Sequence, residues 1–150
     1  METLGPYLAE HPFFKGMSPQ HIELIVGCAT NAKFDAGQYI DREGEDANRF
    51  WIIRHGKIAI EVFNPTTGPI CIQTVSEGEV AGWSWLFPPY MHHFDSRALE
   101  LTRAICLDGK CLREKCERDH ELGYELYKRF ASIMEQRIEA TRMQLLDLYK

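Results

Sequence analysis

The sequence predicts an α+β fold: an antiparallel, jelly-roll-like barrel with flanking helices and a long C-terminal helix. Three observations carry this. From Lys33 to Asp108, short apolar runs alternate with glycine-bearing turns, the pattern of many short strands. Ahead of that stretch, Ser18-Pro19 opens a helical pattern. After Asp108-Gly109 the period is helical again, and from about His120 to Tyr149 there is no proline and Gly123 is the only glycine.

Taken in order, Ser18 is a capping residue type and Pro19 suits the first helical position. Ile22, Ile25, Val26 and Ala29 follow at helical spacing, so this helix buries one face. In His11-Pro12-Phe13-Phe14, just before it, the two aromatics are expected in the core. The barrel begins at Phe34 before Asp35-Ala36-Gly37, and continues with Tyr39-Ile40 before Glu43-Gly44-Glu45-Asp46. Phe50-Trp51-Ile52-Ile53 runs into Arg54-His55-Gly56. Ile58, Ile60 and Val62 alternate with Lys57, Ala59 and Glu61, the mark of a half-buried strand. Asn64 to Pro69 is a hairpin-like turn into Ile70–Val75. The stretch Gly78 to Pro89 reads as a turn, a short extended piece and one helical turn stopped by two prolines. Leu99 to Leu107 reads as a last long strand with Leu99, Leu101, Ile105 and Leu107 on one face.

Leu112 to Arg118 makes a short helix. In the long helix, Tyr127, Ala131, Met134, Ile138, Thr141, Leu145 and Leu148 fall four and three apart in alternation, as in a heptad seam. Some 30 residues of helix span roughly 45 Å, more than a small domain covers. The expected partner is the same helix of a second subunit, with packing on the barrel at the helix start.

At 150 residues the chain reads as one domain, the barrel at about 33–108 and the helical part at about 110–150. A net charge of -5 argues against a nucleic-acid-binding surface. No run of eighteen apolar residues occurs, so no membrane span is expected. The N-terminus lacks a basic and an apolar leader region, which places the chain in the cytoplasm. Five cysteines, an odd count, then imply a reducing compartment and free thiols.

Cys106, Cys111 and Cys116 are too widely spaced for a zinc pair. They are expected as structural thiols, with a redox switch at Cys111 or Cys116 as the alternative. Glu43 and Glu45 read as solvated turn residues, and Lys110, Arg113 and Lys115 as a solvated face. No nucleophile–base signature such as G-x-S-x-G is present, so no enzyme is expected.

The order of elements, with His11-Pro12-Phe13-Phe14, Phe34 and Gly37, Glu43-Gly44-Glu45, Phe50–Ile53 with Gly56, Gly78-Glu79 with Gly82, and Arg97-Ala98, resembles the cyclic-nucleotide-binding domain of the Crp/Fnr regulators. The resemblance implies a β-roll with a phosphate-binding cassette from Gly82 to about Ala98. In members that bind cyclic AMP or cyclic GMP, a glutamate after the first cassette glycine accepts the ribose hydroxyl, and a later arginine pairs with the cyclic phosphate. Here Trp83 takes the glutamate position and His92 or His93 the arginine position. Arg97 matches an arginine of the next strand that is mostly structural in the family. A hydrogen bond to a charged group contributes roughly 1.5–3 kcal/mol, so losing two weakens binding by about 10²–10⁴-fold.

The expectation is a non-enzymatic regulatory or ligand-sensing module, homodimeric through residues from Tyr127 to Leu148, with weak or no cyclic-nucleotide binding. It acts on a different small ligand or through another regulatory protein, and the resemblance implies that it lacks the DNA-reading part of full-length regulators. Candidate ligand contacts are the N–H groups of Gly82, Trp83 and Ser84 for an anionic part, then Arg97 and His92 or His93, with Trp83 stacking on a planar part. Trp83, Trp85, Phe87, Tyr90 and Phe94 either line this pocket or fill it. One alternative is a genuine cyclic-nucleotide sensor with a non-standard cassette. The alternative of another class is a small thiol- or metal-dependent protein.

Overall fold

The structure is a computed structural model and describes residues 4–149. The elements run α1 (Leu4–Glu10), α2 (Pro19–Val26), β1 (Ala29–Phe34), β2 (Tyr39–Asp41), β3 (Arg49–His55), β4 (Lys57–Asn64), β5 (Gly68–Ser76), β6 (Val80–Ala81), a 3₁₀ turn (Ser84–Leu86), β7 (Asp95–Ala98), β8 (Thr102–Asp108), α3 (Gly109–Arg118) and α4 (His120–Asp147). The strands form two antiparallel four-stranded sheets, ordered β1-β8-β3-β6 and β2-β7-β4-β5. This is the expected α+β roll. The chain divides between Glu114 and Lys115, inside α3, into two compact units.

In the first unit, α2 starts as its sequence requires. Ser18 is extended, and its hydroxyl accepts a hydrogen bond from the His21 N–H at 3.2 Å. Ile22 and Ile25 are buried. Phe13 and Phe14 are core residues in edge-to-face contact at 4.8 Å.

Strand β3 is buried on both faces. Trp51 and Ile53 join Ile40, Ile58, Val75, Ala98, Ala104 and Cys106 in the core of the roll. On its other face Phe50 meets Phe13 and stacks on Trp85, with ring centroids 5.0 Å apart. Full burial of a side chain of this size contributes about 1.5–3 kcal/mol, so these two layers hold β3 at the centre. The Gly109 backbone lies so close to Trp85 that a Cβ there would sit 2.8 Å from the Trp85 Cβ.

Two strand expectations are corrected. The roll begins at Ala29 rather than near Lys33: β1 pairs along its whole length with β8, Ala29 opposite Leu107. The expected long strand at Leu99–Leu107 is two strands, because β7 ends at Ala98 and β8 begins at Thr102 in the other sheet. Leu99 and Leu101 lie at this crossing and are exposed, while Ile105 and Leu107 are buried.

In the second unit, Asp119 caps α4 by accepting the Leu122 N–H at 3.2 Å. Leu122, Gly123, Leu126 and Phe130 are buried, whereas every residue from Ile138 to Tyr149 is exposed in the single chain. The predicted seam residues Tyr127, Ala131, Ile138, Thr141, Leu145 and Leu148 are exposed and Met134 is half-buried. They form a stripe distinct from the buried one.

Candidate ligand-binding site

The cassette opens after β6 with a tight turn. Gly82 has φ 95°, a conformation that disfavours a side chain, and redirects the chain out of β6. Trp83 precedes the 3₁₀ turn at Ser84–Leu86, and the Leu86 N–H donates to the Trp83 carbonyl at 3.0 Å. Pro88-Pro89 follows with a cis peptide bond. Trp83 and Ser84 are half-buried.

The return of the cassette is laced to the turn after β2. The Gly44 N–H donates to the His92 carbonyl and the His92 N–H to the Glu45 carbonyl, each at 2.9 Å. This directs the His92 ring inward while His93 is exposed, so the adjacent histidines part. His92 Nε2 lies 3.3 Å from Asp41 Oδ1. The other oxygen of Asp41 accepts hydrogen bonds from Trp51 Nε1 and Ser96 Oγ, each at 3.1 Å. Asp41 is thereby a buried node joining the two sheets.

Arg97 sits beside this node on β7. Its guanidinium donates to Glu61 Oε2 at 2.6 Å and lies 5.7 Å from the Tyr39 ring centroid. Glu61 is 3% exposed, and its Oε1, like Arg97 Nε, is buried without a hydrogen-bond partner. Asp95, also buried, accepts the Glu43 N–H at 2.8 Å and contacts Arg42 at 3.4 Å. The cassette's return thus lies against three buried carboxylates, Asp41, Glu61 and Asp95.

Glu61 was not legible as an inward residue. Strict alternation puts it outside with Lys57, but the register shifts between Ile60 and Glu61 and a bulge turns Glu61 in; Val62 and Phe63, nearer the hairpin, are both exposed. Asp41 and Asp95 were missed too. They lie at the last residue of β2 and the first of β7, where spacing carries no sign of facing.

The five cassette aromatics do not share one pocket. Trp85 is buried against Phe50, on the face of β3 away from the roll's core, and Phe87 and Phe94 are exposed. Tyr90 lies under Arg113, 4.1 Å from its centroid. Arg113 also donates to the Trp85 carbonyl at 2.6 Å and to Asn48 Oδ1 at 3.0 Å. It is therefore a clamp between α3 and the cassette, not part of a solvated face. Glu43 and Glu45 are exposed, as expected of turn residues.

The cysteines correct a further expectation. Cys28 and Cys111 form a disulfide, with Cα atoms 6.0 Å apart. Antiparallel pairing of β1 with β8 brings the start of β1 beside the start of α3, across 83 residues of sequence. Cysteine parity does not reveal that proximity. Cys71, Cys106 and Cys116 are free. Burial, then Asp119 and Glu117, push the Cys116 thiol up to about 11, which keeps it protonated and unreactive. Among the described residues no three His, Cys, Asp or Glu side chains are grouped to hold a metal, and no helix is long and apolar enough to cross a membrane.

Relatives agree with this architecture. The chain is 23% identical over 141 residues to a CRP-like cAMP-activated global transcriptional regulator of Mycobacterium tuberculosis, covering 94% of this chain and 61% of that protein. It therefore spans less than two thirds of that relative's length. It is 31% identical over 84 residues to human cGMP-dependent protein kinase 2, covering 54% of this chain and 11% of the kinase. A crystal structure of a cyclic nucleotide-binding protein from Geobacter metallireducens superposes with a TM-score of 0.81 at 23% identity, over 92% of this chain and 99% of that one. The cyclic nucleotide-binding domain profile matches residues 32–119, more than half of the sequence, and with the two-sheet roll and its cassette this establishes that the chain belongs to the cyclic nucleotide-binding domain family.

Proposed function

We propose that this domain is a non-enzymatic regulatory module with weak or no affinity for cyclic AMP and cyclic GMP, and that it responds to another small ligand or to a partner protein. The observation that carries this is the contact of His92 with buried Asp41. The cassette's phosphate-pairing position is occupied by a side chain already engaged with an anion. Bringing a cyclic phosphate there would cost that contact and set the phosphate near the Asp41 and Asp95 carboxylates. Trp83 adds an indole where the ribose-binding carboxylate stands in nucleotide-binding members.

The domain acts in the cytoplasm as a homodimer through the α4 seam from Tyr127 to Leu148, with residues 33–108 as the ligand-facing barrel and 110–150 as the helical output. The mycobacterial relative's name, a cAMP-activated transcriptional regulator, supports a regulatory role. A ligand without an anionic group, or one whose anion meets the N–H groups of Gly82 to Ser84, with Trp83 against a planar part, fits better than a cyclic nucleotide. Arg97 is the secondary anchor, since its side chain is 33% exposed although paired with Glu61.

Titration calorimetry with cyclic AMP and cyclic GMP tests the reading. No heat of binding is expected at micromolar ligand. A micromolar dissociation constant for either nucleotide would replace it by a genuine sensor with a non-standard cassette.

A further inference from the structure

A cavity of about 660 Å³ opens at the end of the β1–β8–β3 sheet. Both sulfurs of the Cys28–Cys111 disulfide belong to residues that line it, as does the free thiol of Cys106. Arg49 and Lys110 supply positive charge, and Asp46 and Asp108 negative charge. Such a lining suits a small zwitterionic peptide thiol.

The disulfide holds a consequential piece of chain. Cys111 lies in the first turn of α3, where its N–H donates to Asp108 Oδ1 at 3.0 Å. One helical turn holds both Cys111 and Arg113, and Arg113 clamps the cassette through the Trp85 carbonyl and the Tyr90 ring. α3 itself continues past Glu114 toward α4. The bond thus lies between the fixed sheet and the turn that grips the cassette.

We propose that Cys28–Cys111 is a reversible redox switch, opened by small peptide thiols such as glutathione that enter this cavity, and that its state governs the order of the α3 start and of the cassette clamped to it. Cys111 is half-buried and Cys28 is buried, so attack falls on the Cys111 sulfur. A glutathione thiolate forms a bond to Cys111 Sγ. The Cys28–Cys111 bond breaks, and its electron pair leaves with Cys28 Sγ, which takes a proton from water. A second glutathione attacks the mixed disulfide, yielding oxidised glutathione and the Cys111 thiol. Two glutathiones are oxidised and one protein disulfide is reduced. Cys106 takes no part, because burial pushes its thiol pKa up and keeps it protonated.

The test uses the whole chain equilibrated in glutathione buffers, with alkylation and mass spectrometry to count thiols, and hydrogen exchange and tryptophan emission to read α3 and the cassette. The oxidised chain should show the three thiols of Cys71, Cys106 and Cys116, and millimolar reduced glutathione should raise this to all five cysteines. Exchange at Cys111–Glu114 should then quicken by on the order of tenfold, as local opening becomes easier. The melting temperature should fall by on the order of 10 °C, because the bond closes a long loop. In Cys28→Ser, oxidised glutathione should exchange onto Cys111, releasing one reduced glutathione, and the adduct should persist until reduced glutathione is added because no Cys28 thiolate displaces it; Cys71→Ser should switch as the wild type does, with one thiol fewer. If Cys28→Ser does not fold, reduced wild-type protein gives the same readouts. A disulfide that stays closed in millimolar glutathione is a fixed staple and overturns the proposal. So does one that opens with exchange and tryptophan emission unchanged.

Discussion

At the scale of single residues, burial sets the most telling energies. His11 is 6% exposed, its Nδ1 accepts the Phe13 N–H at 3.1 Å, and burial holds its pKa below the ordinary 6.5. The folded state therefore binds this proton less readily than the unfolded chain. Above about pH 6.5 the unfolded chain is already neutral here, so folding releases no proton, and stability is lost as pH falls below that value. Thermal melts between pH 7.5 and 5.5 should show a smaller decline for His11→Asn, which keeps an acceptor but does not titrate. Equal slopes would remove His11 as a cause. Gly56 offers a second measure. Its φ is +101°, and an added Cβ would meet the Leu101 carbonyl oxygen and the Thr102 Cα, each at 2.7 Å. Neither atom is the end of a flexible side chain. Gly56→Ala should destabilise by more than about 3 kcal/mol in urea unfolding, whereas Gly68→Ala, with open space around it, should cost about 1 kcal/mol.

Elements show where sequence reading succeeds and where it stops. The start of helix α2 was legible because its cap and Ile22 and Ile25 are local signals, but its end was not: Ala29, read on its apolar face, begins β1. The cassette's turn, extended piece and helical turn were legible because glycine and proline mark each boundary. Strand β4 was legible as a strand but not in its facing, since a register shift at Ile60–Glu61 breaks the alternation and turns Glu61 in, while Val62 and Phe63 beyond it are both exposed. Half of the site followed from that. His92, Arg97 and Trp83 could be named from the cassette, but Asp41 and Glu61 approach them only through sheet pairing, across 55 and 36 residues from their contacts Ser96 and Arg97. The Glu61–Arg97 pair gives this scale its prediction. Arg97→Ala leaves a buried carboxylate alone and should cost about 3 kcal/mol. The double variant Glu61→Gln with Arg97→Gln should cost clearly less, because no uncompensated charge remains. Additive losses in a double-mutant cycle would show that the two side chains do not act as a pair.

For the whole molecule, the unexplained feature is the end of α4. Ile138, Leu145 and Leu148 are 52%, 52% and 79% exposed, and Met143, Leu146 and Tyr149 add further apolar surface around them. An isolated helix of that composition gains little from staying solvated, and most helical stability in proteins comes from packing an apolar face. The heptad spacing of Tyr127, Ala131, Met134, Ile138, Thr141, Leu145 and Leu148 supplies such a face for a second copy. If the seam pairs two chains, light scattering at tens of micromolar should return about twice the 17.4 kDa of one chain. Leu145→Glu sets a charge in the seam at a position exposed in the single chain, so it should halve that mass while leaving the roll folded by circular dichroism. Met134→Glu, at a half-buried position, should act in the same direction with some added loss of stability. A wild-type mass of one chain across that concentration range would remove the seam as an interface.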